Sequence, residues 1–299
     1  MRPFFSIIIP TYNRCLMVKK SIESITNQTF KNWECIIVND GSTDETQIEV
    51  EKICHLDNRV KLINQINSER AIARNKGAQN ANGQYYIFLD SDDYFGPGHL
   101  ENIFNEINQN TEPHEMYYTN GTIVHNSKEE LIEKEPIPES LPIDFFLNHS
   151  VVPARVCLHA SIFDQFEFDP RTIIVEDTVL WTEILATKKI KYLPINSVFY
   201  NLHENNSVNI QKNNAYLKRL KGLKVLFNKK SVGKQISKSI KKKHLNRCYL
   251  GIAEFYEIKK NEWKSIYWII KSILFFPNLD LKHKLVKILF LSKFAFSRN

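Results

Sequence analysis

The stretch Tyr85-Tyr86-Ile87-Phe88-Leu89-Asp90-Ser91-Asp92-Asp93 decides how this chain is read, because an apolar run ends abruptly in a cluster of carboxylates. A short apolar run bounded by polar residues fits a strand buried on both faces, as in parallel sheets. Two carboxylates one residue apart on an extended segment can converge on one hard divalent cation. Mg²⁺ or Mn²⁺ prefers such oxygen ligands and shares its shell with substrate phosphates. Taken alone, the triplet is also readable as an acidic turn capping a helix that starts near Pro97.

Upstream of this stretch, strand-like and helix-like patterns alternate. Phe4 to Ile9 is Ile-rich and reads as a strand stopped by Pro10. Residues 15–27 place Leu16, Val18, Ile22 and Ile25 near helical spacing. Trp33 to Val38 is a second strand, ending in Asn39-Asp40-Gly41, and Ser42-Thr43-Asp44 offers caps for a helix to about Cys54. Val60 to Ile63 reads as a strand, and the Ala-rich segment Ala71 to Ala81 as a helix closed by Asn82-Gly83. This alternation predicts an α/β fold, a doubly wound and mainly parallel sheet flanked by helices. Ligands of such sheets bind at the carboxyl ends of strands, where Thr11-Tyr12-Asn13, Asp40 and Asp90 to Asp93 fall.

Downstream, Pro113, Pro136, Pro138 and Pro142 interrupt residues 110–150, which read as a less regular excursion after one strand near Met116 to Thr119. Residues 177–188 read as a helix, and Tyr192 to Tyr200 as a strand interrupted at Pro194. The pattern is helical and basic after about residue 212. The domains expected are therefore 1–211, divided into halves 1–109 and 110–211, and a C-terminal helical region 212–299.

Charge supports that division. Residues 1–211 carry 18 Lys+Arg and 29 Asp+Glu, a net of −11, whereas residues 212–299 carry 22 and 4, a net of +18. The basic region also holds Trp263, Tyr267, Trp268, Phe275, Phe276, Phe290, Phe294, Phe296 and the cluster Lys241-Lys242-Lys243. This composition predicts an amphipathic helical region lying on an anionic membrane surface. The competing reading is a packed helical subdomain with solvated lysines. No nucleic-acid motif accompanies the charge, so no nucleic-acid partner is expected. The five cysteines are scattered without CxxC spacing, which fits a reducing compartment rather than a disulfide scaffold or zinc site. The N-terminus has no signal-peptide layout, and Ile266 to Phe276 is too short to span a bilayer and contains Lys271. The location expected is cytoplasmic, with peripheral contact on the cytoplasmic face of the membrane.

Three further candidates carry chemistry. Asp40 can accept hydrogen bonds from a base or ribose, or serve only as a turn residue before Gly41. Glu176-Asp177 stands at a helix start, where either carboxylate can cap the helix or act as a general base toward a hydroxyl. His203 can ligate a metal or phosphate, or lie solvated in a loop. The chain lacks G-x-G-x-x-G, Walker A, G-x-S-x-G and H-E-x-x-H motifs.

Taken in order, Ser6 to Arg14 (SIIIPTYNR), Val38 to Asp44 (VNDGSTD), Ala73 to Gly77 (ARNKG) and Phe88 to Asp93 (FLDSDD) resemble the family 2 glycosyltransferases of the GT-A (Rossmann-like) fold. The resemblance covers about residues 4–95. It implies inverting transfer from a nucleoside-diphosphate sugar, usually UDP-linked, to a hydroxyl of a glycan or lipid-linked acceptor, as in surface polysaccharide synthesis. It also implies Mg²⁺ or Mn²⁺ as cofactor. By position, Pro10, Thr11, Tyr12, Asp40, Arg70, Arg74, Asp90 and Ser91 would bind the donor. Within that set Asp40 would meet the uracil, Arg74 or Arg70 would lie beside the base, and Asp90 would face the ribose. Asp92 and His203 would serve the metal. Asp177, with Glu176 nearby, would be the base, and Asp93 a structural neighbour. The lead-in to Ala73-Arg74-Asn75 is Asn67-Ser68-Glu69-Arg70, not the Gly-rich segment usual in the family. A sugar-nucleotide nucleotidyltransferase is the main alternative, disfavoured because no Gly- and Arg-rich loop follows the first strand. A non-catalytic sugar-nucleotide-binding module is disfavoured because Asp92 and Asp177 are both present.

Overall fold

A computed structural model describes residues 2–109, 114–125, 128–132, 142–148, 151–204, 206 and 214–275. Pro113, Pro136, Pro138, Phe276, Phe290, Phe294 and Phe296 lie outside the described residues. The elements, in chain order, begin with β1 (Phe5–Thr11), α1 (Cys15–Thr26), β2 (Trp33–Asn39), α2 (Thr46–Leu56), β3 (Val60–Asn64), α3 (Glu69–Gln79) and β4 (Tyr85–Phe88). They continue with β5 (Tyr94–Phe95), α4 (His99–Asn108), β6 (Met116–Thr119), β7 (Gly121–His125), β8 (Lys128–Ile132), α5 (Pro142–Asn148) and β9 (Val156–His159). The last are α6 (Glu176–Leu185), β10 (Ile190–Leu193), β11 (Val198–Asn201), α7 (Ala215–Asn228), α8 (Lys238–Ile258) and α9 (Glu262–Phe275). They form two compact units, Met1–Pro170 with Glu176–His203, and Arg171–Val175 with Glu204–Asn299.

The first unit is built on a seven-stranded sheet of order β10-β6-β9-β4-β1-β2-β3. All neighbours in it are parallel except β9, which runs against β4 and β6. All seven residues of β1 are buried, as a central strand covered on both faces requires. Alternate residues serve opposite faces. Ile7 and Ile9 pack with Val18, Ile22 and Ile25 of α1 and Leu100 and Ile103 of α4. Ile8 packs on the other side with Ala71 and Ala73 of α3 and Leu180 and Trp181 of α6. The approach of α3 to the sheet demands a glycine, because a Cβ on Gly77 would stand 2.3 Å from Ile8 Cγ2. At the amino ends of the strands, buried Glu34 accepts from Ser6 Oγ and Asn82 N and pairs with Lys61.

Three readings of the sequence are corrected. The first strand does not stop before Pro10 but runs through it to Thr11. Ile8 directs its carbonyl to Leu89, and Pro10, two residues on, faces the same way past the end of the β1–β4 ladder, so its missing N–H costs no bond. The segment 192–200 is two strands in two sheets: Pro194 separates β10, paired with β6, from β11, paired with β5 and β7. Residues 110–150 contain more order than one strand, since β7, β8, β5 and β11 form a second, four-stranded sheet of order β5-β11-β7-β8.

The second unit is helical among its described residues. Asn214 caps α7 by accepting from Leu217 N, and Ser237 caps α8 by accepting from Ile240 N. A Cβ on Gly251 would meet the Tyr216 ring at 2.1 Å, so α7 and α8 cross where α8 has no side chain. No helix among the described residues is long and apolar enough to cross a membrane.

Candidate functional site

The sheet lines up its polar residues along one edge. Thr11 ends β1 and its carbonyl accepts from Asp40 N, so the ends of β1 and β2 are tied side by side. Thr11 Oγ1 is buried without a hydrogen-bond partner among the described residues. Tyr12, next in the chain, is exposed. Asp40 is buried, and its Oδ1 accepts from Gln65 Nε2 at 2.7 Å and Ser68 N at 2.8 Å. Both contacts go to one oxygen, which orients the carboxylate and leaves Oδ2 for a ligand.

Arg74 organises the centre. Helix α3 carries it below the end of β4, where it is 1% exposed. Its Nη2 meets Asp90 Oδ1 at 2.6 Å and its Nη1 meets Glu176 Oε1 at 2.8 Å, while the guanidinium lies 5.3 Å from the Phe168 ring centroid. Burial opposes the charge, but Asp90 and Glu176 outweigh it and hold the guanidinium firmly protonated. Arg70, half-buried one turn earlier, reaches Glu176 Oε1 at 3.3 Å. Both arginines thus stand among carboxylates, and Arg74 has its terminal nitrogens committed to protein partners.

Asp177 follows Glu176 in the first turn of α6 and accepts from Thr178 N and Oγ1. Its carboxyl is pushed up to about 6, first by burial and then by Glu176, with Arg74, the Thr178 N–H and Arg70 pulling the other way. A carboxylate with this affinity for protons matches the demands on a general base near neutral pH.

Asp92 and His203 meet because of the second sheet. The cluster Asp90 to Asp93 leads straight into β5, which pairs antiparallel with β11, so the chain after β11 runs back past the cluster. Asn201 N donates to Asp93 Oδ1 at 3.1 Å, and His203 Nε2 stands 2.9 Å from Asp92 Oδ2. Asp93 is fully buried, and its carboxyl is pushed well up by burial and by Asp92 and Asp90. It acts as an internal support, also receiving Ser21 Oγ on its carbonyl. Ser91 is buried between Asp90 and Asp92 in the chain.

Among the described residues, no group of three or more His, Cys, Asp or Glu side chains is arranged to hold a metal ion. Asp92 and His203 nevertheless fit part of a shell. They are a hard carboxylate oxygen and an imidazole nitrogen in direct contact, each about one-sixth exposed, at the ligand edge of the sheet. A divalent cation that completes its shell with phosphate oxygens and water needs no more from the protein.

Two residues escaped the sequence reading. Tyr200 of β11 lies within electrostatic reach of Asp93, Asp90 and Asp92, and burial together with those charges pushes its hydroxyl up. Arg155, just before β9, donates through Nε and Nη2 to the Thr119 carbonyl, and burial lowers its guanidinium to about 10. Neither sits in a recognisable motif, and only strand pairing brings them to this edge.

Comparison with known proteins agrees with this architecture. Residues 6–151 match the family model described as glycosyl transferase family 2. That match, just under half of the chain, makes the first part of the chain similar to glycosyl transferase family 2. A Rickettsia felis protein described as an uncharacterized glycosyltransferase is 34% identical over 195 residues, 62% of this chain and 31% of that protein. The chain therefore spans about a third of the length of that relative. Among solved structures, S. aureus TarS 1-349 in complex with UDP-GlcNAc superposes with a TM-score of 0.66 at 18% identity, covering 92% of this chain and 81% of that one. The mannosyltransferase PcManGT from Pyrobaculum calidifontis, in complex with GDP-Man and Mn²⁺, gives a TM-score of 0.58 at 13% identity, covering 99% and 81%. These likenesses establish the GT-A fold.

Proposed function

We propose that the chain is an inverting glycosyltransferase that moves a sugar from a UDP-linked donor to a hydroxyl of a glycan or lipid-linked acceptor in surface polysaccharide synthesis. One observation carries this reading: Asp40, Asp90, Asp92 and Asp177 gather at the carboxyl edge of a single sheet, each with a different environment. Asp40 is oriented by Gln65 and Ser68 to accept from the base. Thr11 and Tyr12 flank the same nucleotide, with Pro10 preceding them in the last residues of β1. Asp90, steadied by Arg74, faces the ribose. Arg70 and Arg74 act in this reading by holding Glu176 and Asp90 in place beside the donor.

Asp177 takes the proton from the acceptor hydroxyl as that oxygen attacks the anomeric carbon. The new C–O bond forms as the bond to the nucleoside diphosphate breaks on the opposite face, which inverts the centre without a covalent enzyme intermediate. Asp92 and His203 would hold Mg²⁺ or Mn²⁺, whose charge would neutralise the departing diphosphate. The Mn²⁺ seen with PcManGT and the UDP-GlcNAc seen with TarS support both halves of this assignment. The basic second unit is proposed to rest on an anionic membrane at the cytoplasmic face, bringing the site to lipid-linked acceptors.

The test is a screen of sugar nucleotides with Mn²⁺ present, measuring release of UDP or GDP. Release from a UDP-sugar, lost with a chelator, is the expected result. No binding or turnover of any nucleotide sugar by the wild-type chain, with or without Mn²⁺, would overturn the reading.

A further inference from the structure

Helix α9 is inverted for a surface helix. The positions it turns inward are Ser265, Ile269 and Ser272, all buried, and Ser272 Oγ donates to Asn246 Oδ1 of α8. Tyr249 of α8 packs on Trp268 and Phe275, so α9 folds back antiparallel on α8 through these rings, Ile269 and two serines. Four of its large apolar residues point out: Trp263 is 78% exposed, Tyr267 55%, Ile270 44% and Leu274 79%. At 100° per residue these four fall within an arc of about 60°, and the stripe is about 16 Å long. An ordinary amphipathic helix places its apolar face toward the core.

The rim of the stripe is cationic. Lys264 Nζ lies 5.2 Å from the Tyr256 ring, and Lys271 Nζ lies 4.9 Å from the Trp268 ring and 5.3 Å from the Tyr267 ring. No charged residue lies within the stripe itself. Trp and Tyr at one level with lysines beside them match the polarity gradient of a lipid headgroup region, where aromatic bodies sit in the interface and ammonium groups stay wet. The surrounding sequence, 22 Lys+Arg against 4 Asp+Glu over 212–299, is complementary to an anionic surface.

We infer that the outward face of α9, Trp263, Tyr267, Ile270 and Leu274, is the element that inserts into the headgroup layer of an anionic bilayer, with Lys264 and Lys271 at its margin. This deepens the membrane contact proposed above for the basic unit and rests on it.

The experiment uses the full chain, phosphatidylcholine vesicles with and without phosphatidylserine, and acyl-brominated lipids as tryptophan quenchers. Comparison with Trp263→Phe isolates the Trp263 signal. The expected result is quenching and a blue shift of Trp263 on the anionic vesicles only. A Trp263→Ser/Leu274→Ser variant, altered only at exposed positions, should lose vesicle affinity by about tenfold or more while its circular dichroism is unchanged. Undiminished vesicle binding by that variant would overturn the inference while leaving membrane contact through lysines standing; no binding by the wild-type chain would sink both. Without lipid, Trp263 should be open to acrylamide in a monomer. Shielding in a dimer would assign the stripe to a second copy, and shielding in a monomer to residues 276–299; either result refutes a bilayer as its occupant.

Discussion

Replacing Arg74 with methionine should destabilise the first unit through its carboxylates rather than through lost packing. The guanidinium is 1% exposed and makes two short ion pairs, at 2.6 Å to Asp90 and 2.8 Å to Glu176. Methionine fills much of the same volume. It leaves Glu176, whose side chain is 3% exposed, with only the longer 3.3 Å contact to Arg70. Removing one partner of a buried pair typically costs about 3–5 kcal/mol, because the remaining charge stays desolvated. At about 2–4 °C per kcal/mol for a unit of this size, the unfolding midpoint should fall by about 6–20 °C. Thermal unfolding followed by circular dichroism at pH 8 measures this directly. Adding Glu176→Gln to Arg74→Met should recover part of the loss, since the charge that Arg74 compensated is then gone. A midpoint change under about 2 °C, or a deficit that simply adds to that of Glu176→Gln, would refute the claim that Arg74 is held chiefly by these charges.

The same geometry fixes the outcome of further substitutions. With Asp177 titrating at about 6, the rate of transfer should fall on the acid side of pH 6 and be near a tenth of its plateau at about pH 5. Asp177→Asn should abolish transfer while leaving UDP binding by calorimetry intact; near-normal transfer would show that another group takes the proton. Asp92→Asn should remove the stimulation of donor turnover by Mn²⁺, and His203→Ala should raise the Mn²⁺ concentration required, both read in a nucleotide-release assay. Gly77→Ala should lower stability by about 1–3 kcal/mol in urea unfolding, because its Cβ would sit 2.3 Å from Ile8 Cγ2 and force α3 off the sheet.

Much of the framework was legible in one dimension. The apolar runs of β1, β2 and β4 are short, continuous and bounded, and a strand buried on both faces leaves little choice of composition. Their carboxyl ends were visible as the places where apolar sequence turns to Thr11, Asp40 and Asp90. The second sheet was not legible. Its strands run from two to five residues, and β8 is mostly charged, so neither length nor alternation marks them. Pro10 misled for a related reason, since the cost of a missing N–H depends on which neighbour that N–H would have faced.

Sequence alone therefore determined the order of the elements from β1 to β4, the position of Asp40 and Asp90 at strand ends, and the basic character of residues 212–299. Those properties follow from local polarity and period. Tertiary structure decided which of those groups meet. Arg74 and Glu176 are 102 residues apart, and Asp92 and His203 are 111 apart. Their contacts exist because α3 and α6 cover the same face of the sheet, and because β5 pairs with β11. The affinity of Asp177 for its proton is decided there too, being a balance of desolvation, a neighbouring carboxylate and two arginines that only the folded chain assembles. The composition of 212–299 marked a basic, aromatic helical region, but only the burial of Ser265 and Ser272 shows which side of α9 the protein already occupies.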